Sequence, residues 1–303
     1  MDNFSLTLCV ISFLCLVVGT PLNLLALAYF TRNPTRTLAN CLFIVISAID
    51  GLLCFSMLHH AVLLASEVDP ETAKESITCI AVSWIWNILS RLSLFLTSVL
   101  SVTRAVSLCR PFSNIPTRPI VVLVVAELVY LLLYECSPSF ASHRVPVYHY
   151  GSCDWSVSNV GTEVPYQMCY SIAYFSPLIL TIGSSTASFC LLRRNQVKFC
   201  ELRGSEANTY HKQCFAANTI FILVIIYALC NLPYAVVLFV IDIEYIMKYK
   251  IRAGFFKSFL LQSISLGSVY LVAINAALTP LVFLLRINEF RLFIKRKTIV
   301  RKQ

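Results

Sequence analysis

"FLTSVLSVTRAVSLCRPF" occupies residues 95 to 112, an apolar run that admits an arginine, Arg104, only as it ends, and a second, Arg110, just before Pro111. A helix built on this run would sit in hydrocarbon for most of its length and leave it at a basic edge. The same pattern recurs along the chain. Seven stretches, near 6 to 30, 38 to 65, 77 to 109, 119 to 137, 164 to 193, 213 to 241 and 255 to 286, are long enough to cross a bilayer, since about 20 residues at roughly 1.5 Å each span the apolar layer. The 303 residues are 58% hydrophobic and only 13% charged, too little polar surface to cover a soluble core. The connections are too short to fold by themselves. The expectation is an all-α membrane protein, one seven-transmembrane bundle over residues 1 to 303.

In a soluble protein a net charge of +9 would suggest nucleic acid; here its placement decides its meaning. "TRNPTRT" (31 to 37), "RPFSNIPTR" (110 to 118), "RRNQVKFCELRGSEANTYHK" (193 to 212) and "RLFIKRKTIVRKQ" (291 to 303) are basic, whereas "SEVDPETAKES" (66 to 76) is acidic. Basic connections alternate along the chain, so the positive-inside rule puts the N-terminus outside and the C-terminus inside. The first apolar segment lacks a basic leader and is too long for a signal peptide, so it reads as a spanning helix. Most of the 13 cysteines fall inside spans, where Cys behaves as a small apolar residue. Cys79 and Cys153 both face an oxidising compartment in this topology, and a disulfide between them is the economical reading. The sequon Asn3-Phe-Ser5 abuts the first span, leaving little room for a glycosylating enzyme.

A charge at the centre of a spanning helix costs roughly 2.5 to 3.5 kcal/mol on insertion scales, so each polar group there asks for a partner or a function. Asn23, Asp50, Ser93, Asn275 and Thr279 lie mid-span in the first, second, third and seventh helices, and the last two, four residues apart, share a face. If the helices are neighbours, Asp50 could gather hydroxyls and amides around a water cluster or a small cation such as sodium. The alternative is hydrogen-bond glue between helices. Arg91 and Glu127, near mid-depth in the third and fourth helices, are placed to form a buried ion pair; the other reading has Arg91 pointing inward as the anchor of an acidic ligand. Pro177, Pro233 and Pro280 each remove a backbone donor inside a span.

The order of Asn23, Asp50, Cys79, Arg104 with Pro111, Pro177, "CNLP" (230 to 233) and "TPLVF" (279 to 283) resembles the rhodopsin-like G-protein-coupled receptors over essentially the whole chain. The resemblance implies a bundle that binds an extracellular ligand in its outer half and activates a heterotrimeric G protein at its inner face, in the plasma membrane. It also implies a short amphipathic helix near 288 to 297, with Phe290 and Phe293 down and its basic residues toward membrane lipid headgroups.

The departures from the family pattern are equally specific. Where the family has D-R-Y, this chain has Thr103-Arg104-Ala105, and Gln213 stands about where an acidic partner is often found. Cys230-Asn231-Leu232-Pro233 replaces C-W-x-P, and Thr279-Pro280-Leu281-Val282-Phe283 replaces N-P-x-x-Y. The fourth helix contains no Trp, and Ser185 sits where the fifth commonly presents Tyr. Loss of a carboxylate beside Arg104 removes an interaction worth about 1 to 3 kcal/mol at a partly dry site. Between states separated by a few kcal/mol, that would raise basal activity; the opposing reading is weakened coupling.

The positions matching the family's pocket are His60, Trp86, Asn87, Ser90, Cys169, Tyr170, Asn231, Tyr234 and Tyr270, an aromatic lining with a few polar groups suited to a small or short-peptide ligand. Trp86 stands where amine receptors carry an aspartate, and Ala273 where opsins carry the retinal-binding lysine, which disfavours both functions. The residues before the first span are too few to capture a large protein, and the tail after the seventh has Thr298 but no serine or cysteine. A transporter is the main rival, but no internal repeat relates two halves of the chain. An enzyme would need clustered ligands or a nucleophile with its base; His59 and His60 have no carboxylate grouped beside them. No metal site and no catalytic residue is expected.

Overall fold

A computed structural model describes residues 3–32, 37–65, 77–109, 116–135, 144–149, 152–157, 160–199, 205–248, 259–287 and 290–294. Seven helices are long and apolar enough to cross a membrane. The first span runs as Asn3–Leu14 and Thr20–Arg32, joined through a π-turn at Cys15–Gly19. The second is Leu38–Ala65, the third Ile77–Cys109 and the fourth Thr117–Glu135. The fifth is Val160–Phe199, the sixth Ser205–Lys248 and the seventh Phe259–Arg286. Helix is the economical structure for such runs because it pairs every interior backbone group within the segment, where no water can do so. The fifth and sixth helices extend well past the apolar stretches that announce them, because helix-compatible polar sequence continues each rod beyond the hydrocarbon.

The spans close into a ring. The first packs on the second, the second on the third, the third on the fifth, the fifth on the sixth and the sixth on the seventh, which returns to the first and second. The fourth packs on the third and presents most of its surface outward: only 11% of its apolar window is buried. Val122, Leu133, Leu229 and Leu285 are each about two-thirds exposed, the reverse of a soluble core and the expected surface toward lipid.

Between the fourth and fifth spans a hairpin forms, β1 (Arg144–His149) antiparallel to β2 (Ser152–Val157), with Cys153 opposite Tyr148. The alternating "RVPVYH" and "SCDWSV" suit strands. β2 lies against the third and fifth spans, so the hairpin marks one end of the bundle.

Three helices approach closely at Gly19. A Cβ there would come 2.6 Å from Cys54 Sγ and 2.9 Å from the Ala277 Cβ, so glycine is what lets the first, second and seventh spans meet. The π-turn ends at this residue, and the Thr20 N–H donates to the Cys15 carbonyl. At the opposite end from the hairpin, Phe283 lies edge-on to Phe30 and Phe43 at 5.3 and 5.0 Å, sealing the first, second and seventh spans together. A helical turn at 290–294 follows the seventh span. The two aromatics of this turn face inward: Phe290 is fully buried, and both Phe290 and Phe293 lie edge-on to Tyr29, at 5.2 and 5.7 Å.

Candidate functional site

The mid-span polar residues meet at the junction of the first, second, third and seventh helices. Asp50 is buried and accepts a 2.7 Å hydrogen bond from Ser93 Oγ, and the Thr279 hydroxyl adjoins the same carboxylate. Thr279 Oγ1 also donates to the Asn275 carbonyl at 3.0 Å. One hydroxyl proton serves either acceptor, so Thr279 can turn from its own helix to the carboxylate. The Asn23 amide donates to the Gly19 and Ala276 carbonyls, both at 3.0 Å. Pro280 explains the second bond: having no N–H, it leaves the carbonyl four residues back, that of Ala276, without a helical donor. Asn23 supplies the missing donor across the helix interface. Its Oδ1 is buried with no partner among the described residues. Asn275 and Thr279 line a cavity of about 20 Å³ with Thr97, Ser101 and Tyr227, room for about one water.

Toward the hairpin end the residues expected to form the pocket divide into two groups. His60 lies edge-on to Trp86 at 5.9 Å and to Tyr270 at 6.1 Å, joining the second, third and seventh spans. Tyr174 lies edge-on to Tyr234 at 5.0 Å, and its hydroxyl donates to Asn231 Oδ1 at 2.7 Å, joining the fifth and sixth. Asn231 Nδ2 in turn donates to the Tyr227 carbonyl at 2.8 Å, so the residue found in place of a tryptophan orders the kinked region around Pro233. Ser90 spends its hydroxyl on the Asn87 carbonyl at 3.2 Å. Cys169 stands apart from both groups, exposed on the outer surface of the fifth span. The Tyr170 side chain lies outside the described residues.

At the other end, Arg104 faces the space between the third, fifth and sixth spans. With Ser101, Ser185, Ser188 and Phe221 it lines a cavity of about 20 Å³. Its Nε is buried without a hydrogen bond, and among the described residues no carboxylate pairs with it. Thr103 donates its hydroxyl proton to the Leu100 carbonyl of its own helix at 2.9 Å. Ser185 donates to Ser101 Oγ at 3.3 Å, linking the fifth and third spans where the family pattern offers a tyrosine. The Gln213 side chain, Arg110 and Pro111 lie outside the described residues. Ala105 is partly buried one position beyond Arg104.

Arg91 is 2% exposed, and its guanidinium lies 5.1 Å from the Tyr134 ring centroid. It interacts electrostatically with Glu127, which is half-buried on the neighbouring fourth span. The side chains of Cys79 and Cys153 lie outside the described residues; their backbones belong to the third span and to the strand packed against it.

Sequence reasoning passed over Tyr174 and Tyr227, which looked like two more aromatics in aromatic-rich helices. Their signal is the polar Asn231 on a facing helix, which needs hydroxyl and carbonyl partners.

No protein-family model and no curated protein matches the chain. Among solved structures it is similar to the crystal structure of squid rhodopsin, with a TM-score of 0.74 at 15% identity, over 98% of this chain and 85% of that one. The protein therefore has the rhodopsin-like seven-helix receptor fold, reached with a largely different set of side chains.

Proposed function

We propose that the chain is a divergent rhodopsin-like G-protein-coupled receptor of the plasma membrane, N-terminus outside and C-terminus inside. It takes a small or short-peptide extracellular ligand between the aromatic groups at the hairpin end and activates a heterotrimeric G protein at the Arg104 end. The observation that carries this reading is the placing of Arg104: a charged group at the far end of the central helix, facing a narrow space between the third, fifth and sixth spans. The Asp50 layer lies between the two ends, and Pro177, Pro233 and Pro280, each inside a span, are suited to act as hinges. A Cys79–Cys153 disulfide would fasten the hairpin over the ligand end, in line with the packing of β2 on the third span.

Arg104 with no carboxylate partner among the described residues favours raised activity in the absence of ligand. Two states a few kcal/mol apart shift measurably when one loses about 1 to 3 kcal/mol of holding energy. A G-protein activation panel tests the function, run first without ligand and then with small-molecule and peptide libraries. Activation of at least one G-protein class, removed by Arg104→Gln, is the expected result. A surface-expressed chain that activates none of them, with or without ligands, sinks the coupling claim and favours a receptor-like protein with lost coupling.

A further inference from the structure

The third, fourth and fifth spans enclose a groove of about 310 Å³ that opens outward. Its floor is the third span at Phe95 and Ser98, left uncovered because the fourth span packs on the third at one side and the fifth at the other. In a membrane this opening faces acyl chains, and its lining is unusual for such a place. Glu127 brings a carboxyl group from the fourth span, and the exposed Ser176 brings a hydroxyl from the fifth, with no hydrogen-bond partner among the described residues. Ala173 lines the same groove. Its carbonyl is the one that Pro177, four residues on, leaves without a helical donor.

The other end of the same chemistry shows what is missing. The carbonyl freed by Pro280 is capped by the Asn23 amide at 3.0 Å; the one freed by Pro177 has no such cap among the described residues. A carboxyl group, a backbone carbonyl and a hydroxyl line one groove open to hydrocarbon, beside the Tyr130 ring, and acceptors in such a place are costly to leave unmet because the bilayer itself offers no donor. Arg91 lies behind Glu127 and interacts with it from the bundle side, so the groove side is what remains to be filled.

We propose that this groove is a binding site, entered from the lipid, for a long-chain amphiphile with a primary amine head. The ammonium would donate to Glu127, to the Ala173 carbonyl and to Ser176, three acceptors for its three N–H groups, while the chain lies along Phe95 and the outward apolar surface of the fifth span. The site is distinct from the ligand position proposed between the aromatic groups at the hairpin end. It does not depend on G-protein coupling.

The test is binding of octadecylamine to the purified full chain in nanodiscs of uncharged lipid, read by native mass spectrometry. Octadecanol and octadecanoic acid serve as same-length controls. The amine should bind at least about tenfold more tightly than either control, the step expected for a charge-assisted contact. Glu127→Gln should bring it down to the level of the alcohol, and Ser176→Leu, whose added bulk lies at the groove edge, should weaken amine and alcohol together. Because Glu127→Gln could also disturb folding through Arg91, Ser176→Leu supplies a variant away from that contact, and the unfolding temperature of each is recorded. Equal binding of amine and acid, or amine binding unchanged in folded Glu127→Gln, overturns the proposal.

Discussion

Arg91 and Arg104 stand on the same helix, thirteen residues and about 20 Å apart, and the molecule treats them in opposite ways. Arg91 is almost wholly enclosed, laid across the Tyr134 ring and influenced by the Glu127 charge. Arg104 is only partly enclosed, among serines and phenylalanines, with no carboxylate beside it among the described residues. A charge in a membrane is tolerated when the surroundings give it a fixed partner, and it becomes a moving part when they do not. The first arginine meets the Tyr134 ring and the Glu127 charge of the fourth span. The second stands in a narrow space between the third, fifth and sixth spans.

Breaking the enclosed site should cost most. Arg91→Leu strands Glu127 and removes the cation over Tyr134, so a loss of about 3 to 5 kcal/mol is expected, seen as a fall in surface expression and in the unfolding temperature. Arg104→Leu should change stability by less than about 1 kcal/mol in the same assays, although it removes an equal charge. Equal losses at the two positions would erase the contrast.

The next test asks whether Arg91 and Glu127 act together. In a double-mutant cycle of Arg91→Gln and Glu127→Gln, scored by surface expression, a coupling of about 1 to 3 kcal/mol is expected. Independent effects would mean that the ring of Tyr134 alone holds the guanidinium.

Thr103→Asp runs the comparison in reverse by giving Arg104 an acid. The present Thr103 hydroxyl is occupied by its own backbone, so the substitution adds an ion pair without dismantling one. It should lower ligand-free G-protein activation by about 1 to 2 kcal/mol of state preference, and unchanged basal signalling would show that something else sets the resting state. The smallest effect belongs to Tyr134→Phe, which keeps the ring under Arg91: a change within about 0.5 kcal/mol in unfolding measurements. Tyr134→Leu, without the ring, should exceed it.

The spans were legible because crossing a bilayer demands an unbroken apolar run, and the runs ending at Arg32, Cys109 and Arg286 stop where polar sequence begins. The same signal could not show how far the fifth and sixth helices continue to Phe199 and Lys248, since polar helical sequence looks like connection. The contact of Asp50 with Ser93 was foreseeable because a buried carboxylate must find donors. The cap that Asn23 places on Ala276 was not: it needs the first and seventh helices brought together at Gly19, a tertiary fact that no local pattern carries. Cys169 shows the limit of reading by position. Its place in the fifth helix matched the pocket, but the rotation of that helix turns it toward the outer surface. The hairpin was read only as a connection, because its strands are short and its turn lies outside the apolar signal.

The π-turn at Cys15–Gly19 carries a consequence for how this protein can vary. The buried residues of the first span run Leu8, Ser12, Cys15, Gly19, Asn23, Ala26, Phe30, two identical eleven-residue periods sharing Gly19. That periodicity is slower than an ideal helix, which would drift off the seam; the wide turn absorbs the mismatch and keeps one edge in phase from end to end. Removing a single residue from the turn would rotate everything before it by about 100°, carrying Leu8 and Ser12 away from the second helix. A change of length there is therefore a dial on the orientation of the first third of the span, one that no substitution of side chains can reproduce.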